Sequence, residues 1–201
     1  MSRTRPRLCL HAWLVAVALL VSGYASAVTV EGNDYRNTLR VAGKNLSLVG
    51  VGVREVTFLN LDVYTMGVYV ENRTCAHSRL VAGDEVKMLR MDFLRDVPGE
   101  KMRGGMQETF DRRTSKNASA TLRAQIRAFV SQFGEKIAAE STAELIYVPG
   151  KGTTTLLNGK ALGPAIRGYD FQKMLWSIWF HPDTCCANLI EGIDATCRGQ
   201  R

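Results

Sequence analysis

Alternation of apolar and polar residues predicts that the chain between residues 38 and 94 is mostly β-strand. Residues 38–71 are rich in Val, Leu, Phe and Tyr, and are interrupted at Gly43 and again at Gly50 and Gly52. This pattern is typical of antiparallel strands with a turn and a bulge. Residues 63–71 and 86–94 are each predicted to form a strand, and residues 75–81 a short helix or loop.

Helical periodicity follows these strands. Pro98 favours the start of a helix over residues 99–113, although the Gly104-Gly105 pair costs it about 1 kcal/mol per glycine relative to Ala. We therefore expect another group to approach closely at these glycines. Ser119 is predicted to cap a second helix, whose apolar residues recur at helical spacing up to Gly134.

The rest of the chain predicts a meander and two more helices. Residues 143–148 and 153–157 have the composition of strands, and Asn158-Gly159 is a strong two-residue turn. Asp170 and Asp183 are predicted to cap the last two helices, the second ending near residue 193. This order of elements predicts an α+β domain in which helices cover one face of an antiparallel sheet.

The first 27 residues have the three parts of a secretory signal peptide. Three arginines precede an apolar run over residues 12–21, and Ala25-Ser26-Ala27 is a small-residue cleavage motif. The run is shorter than the roughly 20 residues of a spanning helix. We expect residues 1–27 to be removed and residues 28–201 to form one domain, periplasmic or secreted, without stable insertion in a membrane.

Charge and motifs exclude several classes of protein. The chain has 26 basic and 19 acidic residues, and three of the basic ones lie in the predicted signal, so the remainder has a formal charge of +4. This charge is too small to indicate nucleic-acid binding. The motifs around Gly50 and Gly150 lack residues that dinucleotide and phosphate loops require, so turn and bulge chemistry explains them, and we expect no cofactor.

Four cysteines follow the predicted signal: Cys75, Cys185, Cys186 and Cys197. An even number of cysteines in an exported protein favours disulfides. A bond between the adjacent Cys185 and Cys186 would be strained, so we expect Cys75 to pair with one of the three C-terminal cysteines. Their spacing does not match a zinc site, and no metal is expected.

Three segments carry a resemblance to a known family: LVGVGVRE at residues 48–55, DVYTMGVYVE at 62–71 and YVPGKGTT at 147–154. With residues 93–97 and 175–179, they resemble the chalcone isomerase family, specifically its exported bacterial chalcone-isomerase-like branch. The resemblance extends from about residue 46 to residue 193. It implies an open-faced β-sandwich, a large antiparallel sheet backed by helices, with a ligand cleft between them.

The resemblance also implies five ligand-binding residues: Arg54, Tyr64, Met102, Thr109 and Ser177. Arg54 and Ser177 match residues of the catalytic branch, but the other three replace its threonine, tyrosine and asparagine. Chalcone cyclisation is therefore not expected, and no catalytic residue is assigned. Relatives that bind fatty acids pair the arginine with a tyrosine at the position of Tyr64.

Three hypotheses follow from these residues. The first is a non-catalytic binder of an apolar carboxylate such as a fatty acid, in which Arg54 and Tyr64 hold the anion. The second is an isomerase of the intramolecular lyase type that stabilises an oxyanion through Arg54. The third is a protein that retains the fold to serve a protein partner. Arg54 could also be a surface charge paired with Glu55.

Overall fold

A seven-stranded antiparallel sheet is the centre of the fold. The structure is a computed structural model that describes residues 27–56, 61–184 and 186–199, so nearly all of the predicted signal peptide lies outside the described residues. The sheet has the strand order β11-β10-β9-β6-β5-β4-β3, while β1 and β2 form a small hairpin and β7 and β8 form a separate two-stranded sheet. The predicted α+β class, a large antiparallel sheet backed by helices, is confirmed.

The bounds of the elements follow the apolar pattern closely. The strands are β1 (Ala27–Val30), β2 (Asn33–Arg36), β3 (Thr38–Val41), β4 (Lys44–Val56), β5 (Leu61–Val70), β6 (Lys87–Phe93), β7 (Val97–Pro98), β8 (Lys136–Ile137), β9 (Thr142–Val148), β10 (Gly152–Leu157) and β11 (Lys160–Ala161). The helices are α1 (His77–Ala82), α2 (Gly99–Arg113), α3 (Ala120–Val130), α4 (Tyr169–Phe180) and α5 (Ala187–Cys197).

The predicted helices are present, but two predicted caps and two predicted ends are wrong. Helix α3 ends at Val130 instead of at Gly134, and α5 ends at Cys197 instead of near residue 193. Helix α2 has the predicted bounds, and the Ser119 hydroxyl accepts a hydrogen bond from the Leu122 N–H at 3.1 Å, as expected of a cap. Asp170, however, lies inside the first turn of α4, which is capped by Gly168. Asp183 does not cap α5, because residues 181–184 form a separate turn closed by Thr184 N–H to the His181 carbonyl.

Each face of the sheet has its own core. Alternate residues of β5, among them Met66 and Val68, face the helices and belong to the larger core. The intervening residues face the β1-β2 hairpin, which the sequence analysis did not predict. Tyr35 of this hairpin lies against Gly67, and its hydroxyl is 2.6 Å from the Thr65 hydroxyl. Burial raises the pKa of Tyr35 well above its usual value.

Helix α5 packs directly on β4 at Gly50 and Gly52. A Cβ atom on Gly50 would overlap with the carbonyl oxygen of Ile193, and one on Gly52 with that of Leu189. The strand has a register shift between Leu48 and Gly50, so the predicted bulge is present. The predicted explanation by turn and bulge chemistry is nevertheless incomplete, because the two glycines are needed for the approach of the helix backbone.

Substitution of Gly52 by Ala is expected to lower the free energy of unfolding by about 1–3 kcal/mol, because α5 must move away from β4 to admit the methyl group. Urea unfolding followed by tryptophan fluorescence measures the change. Gly134→Ala is the matched control, since a Cβ there meets no described heavy atom within 4 Å. Equal stability of the two variants would contradict the proposed role of Gly52.

A disulfide between Cys75 and Cys197 attaches the end of α5 to the segment after β5. It is one of the three pairings that the sequence left open. Cys186 is buried before the first turn of α5, and Cys185 lies outside the described residues. Within the described part of the chain, no helix has the length and apolar character to cross a membrane.

Candidate functional site

A cavity of about 210 Å³ lies between the sheet and the helices. Strands β4 and β5 form one wall, α2 forms another, and α4 with the residue before α5 closes it. Its lining is mainly apolar and includes Val56, Val63, Met106, Ile178 and Trp179. The two charged side chains among its described lining residues are Arg54 and Lys101, and both are cationic, so the charge of the cavity favours an anion.

Arg54 and Tyr64 are direct cross-strand partners at the sheet wall of this cavity. Residues paired in this way on antiparallel strands point to the same face, with Cβ atoms about 4.5–5.5 Å apart. Arg54 donates a hydrogen bond through Nη1 to the backbone carbonyl of Glu55. The sheet therefore places a guanidinium and a phenol side by side at the edge of an apolar space.

The interpretation of Arg54 as a surface charge paired with Glu55 is not supported. The carboxylate of Glu55 accepts a hydrogen bond from the Asn188 side chain at 2.7 Å, and within the described residues it makes no ion pair with Arg54. The hydrogen bond from Arg54 to Glu55 is made to the main-chain carbonyl, and Arg54 also lines the cavity.

Tyr64 is held in place by α4. The indole N–H of Trp179 donates a hydrogen bond to the Tyr64 hydroxyl at 3.0 Å, and the Tyr64 ring packs 5.5 Å from that of Phe93. The Tyr64 side chain is 8% exposed. In this bond the Tyr64 oxygen is the acceptor, and the contact holds the phenol at the wall of the cavity.

Met102 and Thr109 also line this cavity, from one face of α2. Thr109 is buried, and its hydroxyl donates to the Gly105 carbonyl at 2.9 Å, one turn earlier in the helix. This bond satisfies the hydroxyl within α2. Thr109 thus contributes mainly a methyl group to the wall, and Met102 contributes a flexible apolar side chain that adapts to different shapes.

Ser177 lies away from these four residues. It lines a different cavity of about 980 Å³, bounded by the end of α2, the start of α3 and α4. Its hydroxyl donates to the Met174 carbonyl at 2.7 Å. The structure therefore brings together four of the five predicted site residues, while Ser177 faces the other side of α4 because adjacent helical residues point about 100° apart.

Sequence reasoning did not assign Trp179, Lys101 and Gly105 to this cavity. Trp179 lies in the segment 175–179 that carries part of the family resemblance, and the need of a buried indole N–H for a partner is the signal that could have identified its role. The expected close approach at Gly104 and Gly105 is wrong, because a Cβ on either meets no described heavy atom within 4 Å. In the described ranges, no three His, Cys, Asp or Glu side chains converge as metal ligands.

Comparisons with known proteins agree with this fold. The family model described as chalcone isomerase-like matches residues 27–192. A fatty-acid binding protein of Arabidopsis thaliana superposes with a TM-score of 0.68 at 18% identity, and the match covers 86% of this chain and 97% of that one. No curated protein matches the sequence. Since the family model spans most of the sequence, the chain belongs to the chalcone isomerase-like family.

Proposed function

We propose that this protein is an exported, non-catalytic binder of an apolar carboxylate such as a fatty acid. The observation that carries the proposal is the cross-strand pair of Arg54 and Tyr64 at the wall of an apolar cavity. A guanidinium offers two parallel N–H donors to a carboxylate, and a neighbouring phenol adds a third donor. The apolar side chains of α2 and α4 then surround the hydrocarbon tail.

Two further observations support an anionic ligand. The described residues of the cavity contribute cationic side chains and no carboxylate, so an acid would enter a positive field. In addition, the structurally similar Arabidopsis protein is a fatty-acid binding protein. The low sequence identity limits that similarity to the fold, and the chemistry of the cavity supplies the argument for the ligand.

Export is the second part of the proposal. It is supported by the signal-like pattern of the first 27 residues and by the Cys75–Cys197 disulfide, since disulfides persist mainly in oxidising compartments. A periplasmic or secreted location fits both observations. N-terminal sequencing of the protein from its native cell tests this part, and an intact Met1 in the mature protein would contradict it.

Arg54→Ala is expected to weaken the binding of a long-chain fatty acid by about tenfold or more, because charge-assisted hydrogen bonds are worth roughly 1.5–3 kcal/mol each. Tyr64→Phe should weaken it less, since it removes one neutral donor and leaves the ring in place. Isothermal titration of wild type and both variants with palmitate measures these affinities.

Two further variants distinguish hydrogen bonding by the Arg54 guanidinium from a general effect of positive charge on affinity. Arg54→Lys keeps the positive charge but loses the planar fork, so its affinity should lie between those of wild type and Arg54→Ala. Arg127→Ala removes an exposed arginine of α3 that does not line the cavity, and should leave affinity unchanged. Thermal melts confirm that each variant is folded. Equal affinities for all variants, or no binding by wild type, would refute the proposed function.

A further inference from the structure

The wall of the cavity has a gap at Gly105, in the middle of α2. Helix α2 lines the cavity through one face that includes Met102, Gly105, Met106 and Thr109. Gly105 is exposed, whereas Met106 and Thr109 are buried. Gly105 therefore lines the cavity and is also exposed to solvent, at the position where this face of the helix has no side chain.

Packing does not explain the glycine. A Cβ on Gly105 would meet no described heavy atom within 4 Å outside its own stretch of helix, and its φ is not in the left-handed region. Glycine is also one of the least favourable residues in the interior of a helix. At Gly52, by contrast, the backbone of α5 excludes any side chain. At Gly105 no neighbouring backbone requires a glycine, and the missing side chain leaves an open space.

The small volume of the cavity suggests why an open space beside it matters for a long ligand. Its volume of about 210 Å³ is below the roughly 300–1,000 Å³ of typical small-molecule sites, so a long hydrocarbon chain cannot be enclosed in it. A ligand whose carboxylate contacts Arg54 on the sheet wall has its tail directed toward the helices. The opening at Gly105 lies in that helical wall.

We propose that Gly105 is the portal through which the tail of a long apolar carboxylate leaves the cavity, and that it thereby sets the range of chain lengths bound. This inference rests on the proposed function. A short chain fits inside the cavity and does not use the portal. A long chain runs over Gly105 and along α2, where Met102 offers an apolar contact.

The test compares Gly105→Leu with Gly104→Leu in the mature protein. Gly104 is also exposed, and a Cβ there also meets no described heavy atom within 4 Å, but Gly104 is not among the residues that line the cavity. Both changes replace a helical glycine, so both should raise the melting temperature, by about 2–4 °C. Affinities for octanoate and palmitate are measured by isothermal titration.

We expect Gly105→Leu to weaken palmitate binding by about tenfold or more, because the methylenes beyond the portal lose their buried contacts. The affinity for octanoate should change by less than about threefold, which corresponds to a change in binding free energy of less than about 0.7 kcal/mol. Gly104→Leu should leave both affinities at the wild-type values. Gly105→Ala, the smaller substitution, should shift the ratio of the two affinities in the same direction and serves if the leucine variant fails to fold.

The outcomes separate this inference from the proposed function. If wild type binds palmitate but Gly105→Leu keeps the wild-type ratio of affinities, the portal is refuted and the binding function stands. Equal effects of the Gly104 and Gly105 substitutions also refute the portal. If wild type binds neither acid, the proposed function fails and the portal fails with it.

Discussion

Removal of the Cys75–Cys197 disulfide is expected to lower the free energy of unfolding by roughly 4 kcal/mol. The two cysteines are 122 residues apart, so the bond closes most of the domain into one loop. A cross-link over more than about 100 residues restricts the unfolded chain strongly, and loss of a native disulfide from a secreted domain typically costs 2–5 kcal/mol. The Cys75→Ser/Cys197→Ser double variant should show this loss in urea unfolding.

The folded state should survive this change, because other contacts still hold α5. Arg73 donates hydrogen bonds to the carbonyls of Leu48, at 3.0 Å, and Cys197, at 2.8 Å, and His77 lies 2.8 Å from the Asp194 carboxylate. Wild type treated with a reductant is the control and should unfold at the urea concentration of the double variant. A double variant as stable as oxidised wild type would show that the bond contributes nothing to stability.

The second large effect concerns Lys87, a fully buried lysine on the helix side of β6. Its ammonium donates to the Leu80 carbonyl at 2.6 Å and lies 4.4 Å from the centre of the Trp176 ring. Burial disfavours the charged form and lowers the pKa of Lys87 to about 7, although Glu85 and Asp84 act in the opposite direction. Carrying the charge at neutral pH therefore reduces stability.

The sign of the pH dependence follows from proton binding. Between pH 7 and 10.5 the unfolded chain keeps the proton on Lys87 while the folded protein has lost it, so this residue makes stability rise with pH. The shift from 10.5 to about 7 corresponds to a change on the order of 5 kcal/mol over that window. Below pH 7 the full penalty is present, and above pH 10.5 it is absent.

The Lys87→Met variant has no ionisable group at position 87. We therefore expect the stability of the variant, relative to wild type, to be highest near pH 6 and to fall by several kcal/mol by pH 10. Urea unfolding at a series of pH values measures the difference. Taking the difference removes the contribution of Tyr69, whose pKa burial raises to about 12, because that residue is common to both proteins.

Lys160→Met is the matched control, because it makes the same substitution at a lysine that is exposed in the folded state. Lys87→Met also leaves the Leu80 carbonyl without its present hydrogen-bond donor. This loss lowers the stability by an amount that does not depend on pH. Only the slope against pH bears on the prediction. A difference between variant and wild type that stays constant from pH 6 to pH 10 would contradict it.

Local features that depend on neighbouring residues could be predicted from the sequence. The bounds of α2 follow from Pro98 and the apolar spacing after it, and the start of α3 follows from the capping hydroxyl of Ser119. The order of strands and helices also determined the α+β class. These signals are local because turns, caps and periodicity involve residues only a few positions apart.

The tertiary structure decided features that depend on residues far apart in the chain. Cys197 could not be chosen over the other possible partners of Cys75 in advance, because the choice depends on where α5 crosses β4. It also could not show that Ser177 faces away from Arg54, since that depends on which side of α4 packs against the sheet. The β1-β2 hairpin was not predicted, because its stability comes from the burial of Tyr35 on the outer face of the sheet.

The cavity itself shows the same division. The sequence shows that positions 54 and 64 are an arginine and a tyrosine. Whether their side chains lie next to each other depends on the register of β4 against β5, because a shift of one residue would turn one of them to the opposite face of the sheet. The contrast between Gly52, which admits a helix backbone, and Gly105, which leaves open space, is likewise invisible in the sequence. A glycine has the same local preferences at both positions, and only the surrounding three-dimensional packing distinguishes them.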